Sequence, residues 1–414
     1  MANAPAGVAC LASLAITRTR GMFAVHARGD PPSKRVVDSG RCPLSSAGLS
    51  VFPIKETHML KRILVAAVAA ACASGGAFAQ SLPAGPKITV TAVTQAAPSI
   101  PQYTKVDVPV LRENMPKASN GRIEFNLKSW PEANVQGPEV IRLVRSGQVD
   151  IGGAPLTTVS GDVPILDGVD LAGLNPEIDQ AFKVAEAMLP LANRELERLG
   201  VKIIATYPYP AQVFFCRKPI NGLADFKGLK VRVNGPSPGD LMNALGAQPT
   251  ALAFGEVYTA LERGTVDCGV TGSGSGNGTK WYEVSTHLYT LSISWSTSAY
   301  FVNLAWWNKL DPAVRSFLEA QFRDVQARQW KLGADASQDG IDCNIGNAAA
   351  CTIGTVVKNR PMVWVKASDA DKARVREALQ NVVLPNWVKR CGPKCGDIYN
   401  EVIAPISGVR YSAR

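Results

Sequence analysis

Strand-like and helix-like runs alternate along this chain at intervals of about 10–15 residues, and that rhythm restricts the fold more than any other feature. Residues 87–94 (KITVTAVT) and 122–128 (RIEFNLK) change polarity at every second position, the period of a half-buried strand. Between them, 103–115 fits a helix and 118–121 a turn. Residues 138–146 place Val140, Leu143 and Val144 at helical spacing and stop at Gly147. Residues 149–152 open a short strand, and 175–199 read as helix on either side of Pro190. Residues 201–207 and 212–217 read as strands, with the Tyr-Pro-Tyr-Pro stretch 207–210 between them as a crossover between lobes. Residues 229–233 and 265–270 follow as strands, 238–245 and 254–263 as helices. Residues 312–331 form a long amphipathic helix capped by Asp311. Such alternation predicts parallel α/β units, and a chain of 414 residues has the length for two of them.

The formal net charge of +10 raises the question of nucleic acid. Residues 1–79 hold 9 of the 44 basic and 3 of the 34 acidic residues, so the remainder carries 35 against 31. That balance is ordinary surface charge, and nucleic-acid binding is not expected. The surplus belongs to an address label. In MLKRILVAAVAAACASGGAFAQ, which begins at Met59, Lys61 and Arg62 precede an apolar stretch, and Ala77-Phe78-Ala79 forms a small-x-small cleavage site. The apolar stretch is shorter than the ~20 residues that span a bilayer. Residues 59–79 are thus a signal peptide, and the mature protein is periplasmic. Residues 1–58 read as an upstream extension from a wrongly chosen start codon, a real extension being the alternative. Cys72 is a poor lipidation site, because no Leu stands three residues before it.

Export accounts for the cysteines. Of nine, six remain in the mature chain: Cys216, Cys268, Cys343, Cys351, Cys391 and Cys395. An even count in an oxidising compartment suggests disulfides. The close spacings favour local staples, Cys343 with Cys351 and Cys391 with Cys395. Zinc is disfavoured, since neither pair has the usual C-x2-C spacing and His287 is the sole mature histidine. Cys216 and Cys268 are left open as a bridge or two buried thiols.

Enzyme chemistry finds little to work with. One histidine is poor material for a Ser-His-Asp triad or a zinc hydrolase, and no H-E-x-x-H, G-x-S-x-G or Walker-type phosphate loop occurs. The run 272–280 (GSGSGNGTK) has Gly-Thr-Lys where a phosphate loop needs Gly-Lys-Ser/Thr, and reads as a flexible turn or a ligand-contacting loop. No cofactor and no metal site are expected.

Several ordered motifs then coincide. Phe226-Lys227-Gly228-Leu229-Lys230-Val231-Arg232-Val233 is followed by Leu245-Gly246-Ala247-Gln248-Pro249-Thr250. Next come Ala253-Phe254-Gly255-Glu256-Val257-Tyr258-Thr259-Ala260-Leu261, Gly264-Thr265-Val266-Asp267 and Lys280-Trp281-Tyr282-Glu283-Val284. This order resembles the solute receptors of tripartite ATP-independent periplasmic (TRAP) transporters, the DctP family. Ser119-Asn120-Gly121-Arg122, Val144-Arg145-Ser146-Gly147-Gln148-Val149-Asp150 and Phe301-Val302-Asn303 with Trp307 and Leu310-Asp311-Pro312 extend the resemblance over most of 85–335.

The resemblance implies an α/β, two-lobed periplasmic-binding-protein-like fold, with a ligand cleft between the lobes and a long lobe-spanning helix. Lobe one would comprise 84–209 plus 297–335, and lobe two 210–296 plus 336–414 with a C-terminal wrap. Arg232 matches the family's arginine that grips a ligand carboxylate, a role a guanidinium fork suits. Phe254 would be a pocket wall. Gln212 stands where many sugar-acid receptors have a second arginine, and Pro155, beside Leu156-Thr157-Thr158, where they carry an acidic residue. Thr271 replaces a common asparagine, with Ser273 just beyond. These departures point to an apolar or aromatic monocarboxylate, or a 2-oxo or 2-hydroxy acid. Trp281, Trp295 and Tyr209 are candidates to stack on it, and Arg217 is a secondary anion candidate. The expected partners are a small organic carboxylate and TRAP membrane permease subunits, with the receptor a monomer. A same-fold sensor, an ABC-importer receptor and a secreted enzyme are the alternatives.

Overall fold

The computed structural model describes residues 82–413, so the expected upstream extension 1–58 and the expected signal peptide 59–79 lie outside the described residues. Two sheets organise the chain. The first has the order β2-β1-β3-β10-β4, with β1 at Ile88–Val93, β2 at Ile123–Lys128, β3 at Ile151–Pro155, β4 at Val201–Tyr207 and β10 at Ser298–Asn303. The second has the order β11-β9-β5-β8-β6-β7, with β5 at Gln212–Cys216, β6 at Lys230–Val233, β7 at Gln248–Ala251, β8 at Cys268–Gly272, β9 at His287–Tyr289 and β11 at Val363–Val365. Each lobe repeats one plan. A parallel trio, β2-β1-β3 or β7-β6-β8, is joined by an antiparallel strand that the chain delivers after crossing from the other lobe, β10 or β5. The carboxyl ends of both trios therefore point into the space between the lobes, where open α/β sheets place their ligands.

Local sequence explains most boundaries. Gly147 and Gly264 end their helices with φ near +74°, a left-handed conformation that favours glycine. The Asp311 carboxylate accepts from the amide of Ala313 at the start of the long helix. Three expectations need correction. Helix Ile178–Glu197 runs unbroken through Pro190, because its apolar stripe (Ala181, Val184, Ala185, Met188, Ala192, Leu196) is buried on both sides of the proline. The glycine-rich run is no flexible turn: Ser273–Gly278 is a short helix, buried from Ser273 to Asn277. The long helix continues to Asn344, 33 residues, or about 50 Å. These last two findings share a cause. A Cβ on Gly340 would lie 2.2 Å from the Gly274 amide nitrogen, and one on Gly333 would lie 2.5 Å from Pro208 Cγ. The glycines let the long helix press against the crossover and the short helix at once.

All six cysteines among the described residues are paired. Cys216–Cys268 joins directly opposed residues of β5 and β8, while Cys343–Cys351 and Cys391–Cys395 close local loops. Asp339 lies beside Cys343 and Cys351, but their sulfurs are bonded to each other, and its carboxylate accepts from the amides of Thr352, Ile353 and Gly354. Among the described residues no helix is long and apolar enough to cross a membrane.

The crossing segment between β9 and β10 is held by one carboxylate. Asp170 accepts from the amides of Trp295 and Thr297, each at 2.9 Å, and from Asn175 Nδ2 at 3.0 Å. Burial pushes its carboxyl up to about 6 despite these donors. Asp170→Ala would leave two buried amides unpaired, costing about 2–4 kcal/mol and several degrees of Tm. The folded-state pKa lies above the unfolded value of about 4, so Asp170 favours the fold at low pH and that contribution is lost as pH rises through about 6. Wild type should accordingly lose about 2–3 kcal/mol relative to Asp170→Asn between pH 4 and 7. Parallel pH–stability curves for the two proteins would refute this.

Candidate functional site

A cavity of about 350 Å³ lies where the two parallel trios point at each other. From the first lobe come Ala96 beyond β1, Trp130 beyond β2, and Pro155, Thr157 and Thr158 at the end of β3. From the second come Asn234 and Gly235 beyond β6, Ala251 to Phe254 at β7, and Thr271 and Ser275 at β8. Tyr209 and Gln212 enter from one crossover and Ser296 from the other. Among these walls Arg232 is the only charged residue.

Arg232 is 3% exposed. Its Nε donates to Leu252 O at 3.1 Å and its Nη1 to Val270 O at 2.9 Å, so neighbouring strands aim the guanidinium without neutralising it. Nη2 has no hydrogen-bond partner among the described residues. The guanidinium carbon lies 5.8 Å from the centre of the Phe254 ring. Burial lowers its pKa to about 10, and the distant Glu256 only partly opposes this. An unpaired cation in such a place is costly, and an incoming anion relieves the cost.

The polar groups around it are largely engaged already. Trp130 Nε1 donates to Gly153 O, Gln212 Nε2 to Pro210 O, and the Tyr209 hydroxyl to Gln95 Oε1 at 2.6 Å. Thr157 and Thr158 donate to Asp167 and to Asn234 O. The Thr271 hydroxyl makes no hydrogen bond among the described residues, and Ser275 Oγ is buried without one. The site thus offers one strong anion donor, two hydroxyls and aromatic faces from Trp130, Tyr209 and Phe254.

Of the residues singled out from sequence, Arg232, Phe254, Thr271, Gln212 and Tyr209 line this cavity, whereas Ser273, Trp281 and Arg217 do not. Ser273 Oγ donates to Ser337 O at 2.7 Å and serves helix packing. Trp281 stacks behind Phe254 at 5.4 Å and supports that wall from the core. Arg217 follows β5 beside the amino end of β8, the opposite end of the sheet from the cavity, against Gly264. Trp295 is likewise absent from the walls. Sequence reasoning passed over Trp130, Asn234, Ser275 and Ser296. The first three follow parallel strands β2, β6 and β8, a positional signal available once the strands are known.

The lobes touch across the cavity rim. Thr158 Oγ1 reaches Asn234 O at 3.1 Å, and a Cβ on Gly235 would come within 2.3 Å of Thr157 Oγ1. Gly235→Ala should hold the lobes apart, enlarging the radius of gyration in small-angle scattering while leaving Tm within about 1–2 °C. An unchanged scattering curve would show that the rim accommodates the methyl.

The family model described as "Bacterial extracellular solute-binding protein, family 7" matches residues 92–385. The 2,3-diketo-L-gulonate-binding periplasmic protein YiaO of Escherichia coli is 28% identical over 224 residues, which cover 53% of this chain and 68% of that protein. The sialic acid-binding periplasmic protein SiaP of Vibrio cholerae is 23% identical, over 56% of this chain and 76% of SiaP. Two solved structures share the fold. A TRAP periplasmic solute binding protein from Desulfovibrio salexigens with bound orotic acid has a TM-score of 0.67 at 22% identity, covering 77% of this chain and 100% of that one. A Bordetella pertussis extracytoplasmic solute receptor binding pyroglutamic acid has a TM-score of 0.66 at 18% identity, covering 78% and 99%. These relatives are binding proteins and not enzymes. With a family match spanning 92–385 and a two-lobed α/β fold closed around a cationic cavity, the chain belongs to family 7 of the bacterial extracellular solute-binding proteins.

Proposed function

We propose that the mature protein is the periplasmic receptor of a TRAP-type transporter, and that it captures a compact monocarboxylate with an apolar or aromatic body and passes it to membrane permease subunits. The observation that carries this reading is Arg232, a buried guanidinium with a free Nη2 as the sole charge on the cavity wall. It supports a role as the carboxylate anchor, with Thr271 and Ser275 as secondary hydrogen-bonding groups. Trp130, Tyr209 and Phe254 favour a flat or apolar body, and the scarcity of free donors disfavours a polyhydroxylated chain. The orotic and pyroglutamic acids held by the two solved relatives are compact ring carboxylates of this kind. Sheet membership supports β1–β4 and β10 in one lobe and β5–β9 and β11 in the other; the proposed bounds are 84–209 plus 297–335 and 210–296 plus 336–414, the C-terminal wrap packing on both lobes, and the receptor would act as a monomer.

The test is thermal unfolding of residues 80–414 against organic acids at about 1 mM, where a micromolar binder stabilises by roughly 4 kcal/mol. Ring and aromatic monocarboxylates should raise Tm by several degrees, and galactonate or gulonate by much less. Arg232→Ala should abolish the shift. A shift that survives Arg232→Ala would remove the anchor from the proposal, and no shift with any carboxylate would remove the ligand class.

The sign of the Arg232 pKa gives a second expectation. The charged form binds, and its pKa of about 10 rises further when a carboxylate pairs with it. Affinity should therefore be flat between pH 6 and 8.5 and weaken only as pH approaches 10. A calorimetric titration with a midpoint near neutrality would assign the anion to another group.

A further inference from the structure

Helix Leu384–Cys391 lies against both lobes beside the cavity, where Arg390 lines a neighbouring pocket with Gly161 and Pro236 of the cavity wall. On the first lobe, buried Trp387 donates from Nε1 to Pro164 O at 2.8 Å, and its ring fills the space where Gly168 would carry a Cβ. On the second lobe, Asn386 Nδ2 donates to Asp240 Oδ1 at 2.9 Å. The last turn of the same helix carries Arg390, whose guanidinium divides between the lobes. Nη1 reaches Asp240 Oδ2 at 2.6 Å, and Nη2 reaches Asp167 Oδ2 at 3.3 Å. Asp167 precedes helix Ile178–Glu197 in the first lobe, whereas Asp240 lies on helix Pro236–Ala244 in the second.

Asp167 is itself a junction. Only 2% exposed, it accepts from Thr157 Oγ1 at 2.6 Å within its own lobe and from Ser237 Oγ at 2.9 Å across the rim. Thr157 and Pro236, which adjoins Ser237, line the ligand cavity. A carboxylate from each lobe thus meets one guanidinium, next to the place where the lobes touch. Without that guanidinium the two carboxylates would lose the cation they share, and with it the charged link between the lobes.

We propose that Arg390 is a positioning residue for cleft closure: by bridging Asp167 and Asp240 it holds the lobes together and raises ligand affinity without touching the ligand. Its part in affinity rests on the reading of the cavity as the ligand site, while its part in closure stands on the lobe geometry alone. Because Arg390 acts on closure, its loss weakens every bound carboxylate by one common factor and leaves their ranking unchanged. An anchor such as Arg232 would instead discriminate by ligand charge.

The experiment uses the mature chain with spin labels at exposed positions in the two lobes, Lys117→Cys and Lys227→Cys. Interlobe distances are measured without added ligand and with 10 mM orotate, in wild type, Arg390→Ala, Arg390→Lys and Asp240→Asn. Arg390→Ala should populate longer distances and weaken orotate and pyroglutamate about tenfold each. Arg390→Lys, a single ammonium facing two separated carboxylates, should fall between wild type and Arg390→Ala. Asp240→Asn leaves Trp387 docked on the first lobe, and should also lengthen the distances if Arg390→Ala misfolds. Distances that stay unchanged in both Arg390→Ala and Asp240→Asn overturn the proposal, as does a change in ligand ranking. If wild type binds neither acid, the ligand reading fails while the distances still decide the closure role.

Discussion

A guanidinium buried without a counter-ion governs this molecule. Arg232 is aimed by the carbonyls of Leu252 and Val270, which orient it but cannot neutralise it. Placing a charge there opposes folding, and its lowered pKa records that opposition. The residue makes physical sense only when an anion completes it. In the proposed role, a carboxylate entering between the lobes would restore the lost solvation, and would do so best with the cleft closed and water excluded. Under that proposal, recognition and closure are one event. The remaining walls have little polar capacity to add, because Trp130, Gln212 and Tyr209 already donate to protein acceptors.

The rest of the structure serves to bring that cavity's two halves together reproducibly. The two lobes repeat one strand plan, and each receives its antiparallel strand from a chain that has just crossed over. The crossings are held by buried polar groups. Asp170 holds the segment before β10 through two backbone amides. Asp107, fully buried, gathers Thr94, Gln95, Gln329 and Tyr300, and Gln95 in turn fixes the Tyr209 hydroxyl at the cavity wall. Burial raises the Asp107 pKa, while its four donors pull the other way. Through Gln329 this network reaches the long helix, which also contacts the crossover at Ala211 and the short helix at Ser273. A ligand against Tyr209 therefore abuts a chain of hydrogen bonds that extends to the helix joining both lobes.

Much of this was legible in the sequence. Polarity period marked β1 and β2, Gly147 marked a helix end, and Asp311 marked the start of the long helix. The motif order singled out Arg232, Phe254 and Thr271, and all three line the cavity. What escaped were features whose causes lie far away in sequence. Gly-Ser repeats suggest a flexible turn locally, yet Ser273–Gly278 is a helix because the glycines of the long helix admit it closely. Trp281 looked like a stacking wall, but Phe254 stands between it and the cavity.

The sequence by itself determined the alternating α/β plan, the even set of cysteines and the motif order that singles out Arg232, because each is encoded in local spacing and side-chain chemistry. Only the tertiary structure decided which strand ends face one another, and hence that Trp130, Asn234 and Ser296 share a cavity with Arg232. It alone paired Cys216 with Cys268, and it alone brought Asp167 and Asp240 to one guanidinium at Arg390. Such juxtapositions join residues up to more than two hundred positions apart, and they exist only once two lobes have folded and met.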